Sequence, residues 1–269
     1  MHRDNEALLL CTADLPKGPD SVTQYTSRAL ALRTLNASGL DYVVAGAYAL
    51  REYAGIMRDT KDLDLFVERK DVERCLEALA NAGFRTEITD PVWLAKGFHA
   101  CGEFIDVIFS SGNGVADVDE LWMKRSRPAV VLGVPSRIAP PEEIIWSKAF
   151  VCERERYDGA DVNHVLKYCI DEIDWDHLLW RFEPHPEVLL SHLLLFRYSY
   201  PGLRARIPTE LIERLYEQCR KPAKPGEEQL CRGTLLSRAQ YAIDLRAGMV
   251  DARKVEVNSF REYHNDENC

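Results

Sequence analysis

The chain has 269 residues, 46% hydrophobic and 29% charged, the composition of a soluble globular protein and not of a disordered tail, a collagen-like repeat or a disulfide miniprotein. At roughly 150 residues per domain, this length predicts one large domain or two small ones. The net charge of −9 is evenly spread, with 16 basic against 20 acidic residues in 1–140 and 18 against 23 in 141–269, so no basic domain or tail advertises long nucleic acid as the partner.

No apolar run approaches the ~18 residues of a membrane span. The apolar stretch at residues 7–10 is too short, and its flanks too acidic, for a secretory signal. Residues 1–22 carry Pro16, Gly18 and Pro19 and read as a poorly ordered lead-in. Leu30, Leu32 and Leu35 predict a helix over 27–38, which Gly39 ends. A short buried strand follows over 42–45, closed by Gly46, and then a helix over 47–53 that stops near Gly55. Residues 62–67, Asp-Leu-Asp-Leu-Phe-Val, alternate carboxylate with apolar side chain, the period of a strand with one face in the core. Val72, Cys75, Leu76 and Leu79 form one stripe of a helix over 71–81, with Gly83 as its C-terminal stop. Strands over 93–98 and 103–109 flank Cys101-Gly102 as a hairpin. A loop over 110–114, a short helix over 117–124 and a second hairpin, 129–132 with 134–138 about Gly133, complete this half.

From Pro140 onward the pattern predicts helices only. They fall over 141–152, 158–168, 175–182, 186–198, 208–219 and 228–247, with a proline-containing loop over 221–226. Pro-Pro-Glu-Glu at 140–143 is a helix start with acids at its positive end. The expected organisation is a lead-in over 1–22, an α/β domain over 23–140 and a helical domain over 141–269, each domain within the usual size range.

Eight cysteines, at 11, 75, 101, 152, 169, 219, 231 and 269, form no CxxC pair and read as reduced thiols of a cytoplasmic protein. The seven histidines lack zinc-ligand spacing; His185 and His192 share one helix face as packing residues.

The chemistry centres on Asp62 and Asp64. Side chains at i and i+2 of a strand share a face, about 7 Å apart at the Cβ, where two carboxylates repel and each favours its protonated form. A divalent cation removes that conflict, and Mg²⁺ typically uses one or two carboxylates plus substrate phosphates. Two solvated acids on an exposed strand face are the other reading. Asp106 lies in the otherwise apolar Phe104-Ile105-Asp106-Val107-Ile108-Phe109. A carboxylate there is costly to bury without a partner. If its strand lies beside the first, three acids converge and suit a two-metal site; otherwise Asp106 faces solvent from an edge strand. Gly46 stands in a strand-to-helix turn, where backbone N–H groups can approach a phosphate.

Gly46-Ala47-x-Ala49-Leu50, followed by Gly55-x-x-Arg58-x-Thr60-Lys61-Asp62-Leu63-Asp64-Leu65, resembles the signature of nucleotidyltransferases of the DNA polymerase beta superfamily. The similarity is to the small bacterial members: lincosamide and aminoglycoside nucleotidyltransferases and nucleotidyltransferase toxins. Pro141-Glu142-Glu143-Ile144-Ile145-x-x-Lys148 and Arg156-x-Asp158-x-x-Asp161 are similar to the helix pair that follows the catalytic sheet in that group. The resemblance covers residues 40–166. It implies an α+β fold, a nucleotidyltransferase-like mixed sheet flanked by helices, followed by the helical half.

It further implies that Asp62, Asp64 and Asp106 bind two Mg²⁺ ions, that Asp106 is also the general base, and that Gly46, Ala47, Arg58 and Lys148 bind the nucleoside triphosphate. The implied reaction transfers a nucleoside monophosphate to a hydroxyl and releases pyrophosphate. The acceptor is a small molecule, an RNA or a protein, chosen by the helical half, and no membrane partner is implied. The chain departs from the family at Ala47, where serine or glycine is usual, which leaves a catalytically silent binding protein as the alternative, beside a toxin–antitoxin component acting on tRNA or protein. Arg58 also reads as a surface arginine paired with a neighbouring acid, Lys148 as a solvated lysine, and Asp158 and Asp161 as charges at a helix start. Arg197, Tyr198, Tyr200, Arg204 and Arg206 form a basic-aromatic cluster, read either as a nucleotide or RNA contact or as arginines at a helix end.

Overall fold

The computed structural model describes residues 19–56, 60 and 62–257, with side-chain surroundings from residue 26 onward. Helix α1 (Pro19–Ala37) begins inside the expected lead-in, because proline is compatible with a first helical turn. Strand β1 (Val43–Val44) leads through Gly46 into α2 (Gly46–Ala54). Strand β2 (Asp62–Phe66) carries the alternating acids, and α3 (Val72–Asn81) follows.

Next comes β3 (Arg85–Asp90), which the hydrophobic pattern does not reveal. Its one large apolar residue, Ile88, is more than half exposed, as fits a polar edge strand. Strands β4 (Leu94–Phe98) and β5 (Phe104–Ile108) form the expected hairpin. Asp119 caps α4 (Glu120–Lys124), accepting the Leu121 N–H, so this helix is shorter than expected. Strands β6 (Arg127–Val131) and β7 (Val134–Ile138) form the second hairpin.

All seven strands join one mixed sheet, in the order β3-β4-β5-β2-β1-β7-β6. The pairs β2/β5 and β1/β7 run parallel and the others antiparallel. Leu63, Leu65, Ile105 and Val107 are fully buried in the core. Their strand neighbours Asp62, Asp64 and Asp106 therefore project from the opposite face.

The C-terminal part contains α5 (Pro141–Ala149), α6 (Gly159–Cys169), α7 (Trp175–Arg181), α8 (Pro186–Ser199) and α9 (Thr209–Cys219). Helix α5 stops three residues early. Its first-turn acids are buried side chains: the Glu142 carboxylate accepts the Asp174 N–H at 2.7 Å, and Glu143 is fully buried against Arg181. The expectation of helices only fails further on. Strands β8 (Leu230–Cys231) and β9 (Val250–Asp251) form a parallel pair. The single helix expected over 228–247 is instead α10 (Gly233–Leu236) and α11 (Arg238–Arg246), followed after β9 by α12 (Ala252–Glu256). Ser237 breaks it: its backbone is extended, and its hydroxyl accepts the Gln240 N–H as a new N-cap. Among the described residues, no helix is long and apolar enough to cross a membrane.

Candidate active site

The register of β2 on β5 sets Asp62 opposite Phe104 and Asp64 directly opposite Asp106. Each of the three carboxylates has an oxygen within 4.8 Å of one on the others. The convergence that the strand pattern left open is therefore made by parallel pairing of two strands separated by a helix and a hairpin. Asp64 is pushed up to about 7, first by burial and then by the charges of Asp62 and Asp106. Asp106 also titrates above the ordinary carboxylate range because it is buried, although Lys96 pulls the other way. Asp62 accepts a hydrogen bond from the Thr60 hydroxyl at 2.7 Å, which fixes one carboxylate orientation at the start of β2.

Gly46 begins α2 with φ +57°, and a Cβ built there would lie 1.7 Å from the Asp64 carboxylate oxygen. The turn thus needs glycine twice, for the left-handed backbone and for the space that Asp64 fills. Ala47 is the second residue of that helix, whose first turn has no acidic side chain and whose N-cap, Ala45, makes no side-chain cap bond. The helix N-terminus lies directly against the Asp64 carboxylate.

Lys148 projects from α5 and is held at 2.9 Å by Asp158 and at 2.8 Å by Asp161. Arg156 donates twice to Asp158, at 3.1 and 2.9 Å. Asp158 occupies the N-cap of α6 but makes no cap bond. Burial would raise its pKa, yet Arg156 and Lys148 outweigh burial and hold it below the ordinary range. Both acids thus correct the expectation of simple helix-start charges, and Lys148 is not a solvated lysine. They anchor a pair of cations whose positive field reaches Asp64.

A cavity of about 490 Å³ opens beside this cluster, within the range of small-molecule sites. Gly46, Asp64, Lys148 and Arg156 line one part of it; Phe66, Trp93 and Ile108 give it an apolar wall. Residues 234–238, from the segment expected to be one helix, also line it.

Arg58 lies outside the described residues. The arginine–tyrosine cluster does not line this cavity. Arg204 donates to the Arg197 carbonyl at the end of α8, and Arg206 pairs with Asp171, so both arginines serve a helix end and a surface ion pair. His192 is buried and its Nε2 bonds the Ala149 carbonyl at 2.8 Å, in keeping with a packing role.

Sequence reading missed Lys96. It sits opposite Asp106 across the β4–β5 hairpin, with Nζ 2.5 Å from Oδ1 and 4.3 Å from the Phe104 ring centroid. The signal was available, because a hairpin closing near Cys101-Gly102 fixes its cross-strand partners.

No protein-family model and no curated sequence matches the chain. Solved structures with similar chain arrangement include the antibiotic-resistance factor ANT(2'')-Ia in complex with adenylyl-2''-tobramycin (16% identity, covering 66% of this chain and 99% of that one, TM-score 0.42). A lincosamide antibiotic adenylyltransferase with lincomycin bound is also similar (11% identity, 50% and 90% covered, TM-score 0.37). An antigenic nucleotidyltransferase-like protein from Paracoccidioides brasiliensis is another (16% identity, 68% and 91% covered, TM-score 0.44).

Proposed function

We propose that this chain is a metal-dependent nucleotidyltransferase that moves a nucleoside monophosphate from a nucleoside triphosphate to a hydroxyl, with release of pyrophosphate. The observation that carries the reading is the convergence of Asp62, Asp64 and Asp106 against the Gly46 turn. Three hard oxygen donors within 4.8 Å of one another fit Mg²⁺ by chemistry. The raised Asp64 carboxyl marks a charge conflict that a divalent cation would relieve. When bound, Mg²⁺ would supply charge neutralisation at the attacking and leaving oxygens.

The protein's own groups do the rest in this reading. Asp62 and Asp64 hold the cations. The Gly46 and Ala47 N–H groups, at the positive end of α2, bind the triphosphate. Lys148 and Arg156, pre-positioned by Asp158, face the same phosphates, so less side-chain freedom is lost on binding. Asp106 takes the proton from the acceptor hydroxyl. The cavity volume favours a small-molecule acceptor over a nucleic acid, as does the even acidic charge of the chain. Ala47 supports a second reading, a silent nucleotide-binding protein, because the hydroxyl a serine would offer is missing.

The test is a thermal-shift screen with ATP, CTP, GTP and UTP, each with and without Mg²⁺, followed by pyrophosphate release on a panel of hydroxylated small molecules. Stabilisation by one triphosphate only when Mg²⁺ is present is the expected result. No shift with any of the four refutes the reading; binding without pyrophosphate release on any acceptor selects the silent one.

A further inference from the structure

The three carboxylates are not equivalent in their surroundings. Among the described residues, Asp106 is the one of the three that carries an ion pair, with Lys96 at 2.5 Å. The pair is well shielded: the side chains are 19% and 12% exposed. The ammonium is fixed from two sides, by its cross-strand partner and by the Phe104 ring beneath it, an arrangement that cation–π attraction favours. Asp62 is met by a neutral hydroxyl, Thr60. Asp64 is crowded by two like charges, with Lys148 and Arg156 acting on it only through their fields.

We infer that Lys96 is a built-in counter-cation that competes with a metal ion for Asp106. Resting on the metal-site reading above, the inference makes Lys96 a positioning residue that acts through that carboxylate. A cation bound by Asp62 and Asp64 does not have to displace Lys96. A cation that also needs Asp106 must displace the ammonium from Oδ1 or share the carboxylate with it, against like-charge repulsion. The site then loads in order, Asp62 and Asp64 first and Asp106 last.

Mn²⁺ binding to the full-length chain, without nucleotide, reads this directly by electron paramagnetic resonance of the free ion and by calorimetry. Wild type is expected to show one tighter and one weaker class of site. Lys96→Met keeps the aliphatic stem over Phe104 and removes the charge. It should tighten the weaker class by ~10-fold or more, because a like charge is removed from the carboxylate that class needs. Lys96→Arg should restore the wild-type isotherm, and adding Asp106→Asn to Lys96→Met should abolish the gain. A circular dichroism melt of each variant checks that the fold is retained.

Identical isotherms for wild type and Lys96→Met, with binding lost in Asp64→Asn, overturn the role of Lys96 and leave the metal centre standing. Unchanged Mn²⁺ binding in Asp64→Asn overturns both.

Discussion

On one face of the sheet, Asp62, Asp64 and Asp106 turn three carboxylates toward one another, with Lys96 as the one cation in contact among the described residues. Where α4, α5 and α7 meet, Glu143 and Asp119 are instead matched. Arg181 donates to Asp119 at 2.6 and 2.8 Å and lies 2.9 Å from Glu143, while the His177 ring meets Glu143 at 2.7 Å. The guanidinium also lies over Trp146 and near Trp180, 4.5 and 4.8 Å from their centroids. The titration shifts point in opposite directions. Burial acts on Asp119 too, but Arg181 outweighs it and holds the carboxyl below its ordinary range, whereas Asp64 is driven up to about 7. Both are clusters of buried and half-buried charge. The matched one ties Asp119, beside the sheet, to helices of the C-terminal part, and the unmatched one leaves carboxylates facing one another.

Breaking the matched cluster should have the largest effect on stability. Arg181→Ala leaves Glu143 buried without its main cation and should cost ~3–5 kcal/mol, read as a lower urea midpoint at pH 7. A cost near zero would show that the two clusters do not differ as argued. Asp64→Asn should do the reverse: nucleotidyl transfer falls by ~10²–10³-fold, while the metal-free melting temperature rises because a repelling charge is gone. A lower melting temperature would count against the unmatched description. Gly46→Ala combines a left-handed backbone cost of about 1–2 kcal/mol with a methyl pressed onto Asp64. It should weaken Mg²⁺-dependent stabilisation by triphosphate more than it lowers the melting temperature of the metal-free protein.

The smallest effect is a pH dependence. Because the folded Asp64 carboxyl titrates above its unfolded value, the native state binds the extra proton. Its contribution to stability is present in acid and is lost as pH rises through about 7. Metal-free melting temperature should therefore fall across that window, and the gain from added Mg²⁺ should grow as the carboxyl ionises. Asp64→Asn should flatten both curves. A Mg²⁺ gain that is constant from pH 5 to pH 8 in wild type would remove Asp64 from the metal site.

Much of the site was legible before any coordinate. The two-residue period of Asp62 and Asp64, the lone acid in an apolar strand at Asp106 and the glycine at the turn are local patterns, and local backbone geometry turns them into local structure. Residues 228–247 were misread because their helical propensity is real on both sides of Ser237, and one capping serine redirects the chain. The polar strand β3 was missed because it borders the sheet and buries little.

The sequence by itself determined which residues carry charge, which strands face two environments and where glycine must stand, because these follow from side-chain chemistry and a backbone period of two. The tertiary structure alone decided that β2 lies beside β5 with Asp64 opposite Asp106, that Lys148 is held by Asp158 and Asp161 and that residues 234–238 line the cavity. Those facts depend on pairings between distant segments, which are chosen by burial of the whole core and by sheet order rather than by any short stretch of chain. Lys96 stands between the two: its pairing with Asp106 is local to one hairpin, yet its meaning came only once that hairpin joined β2.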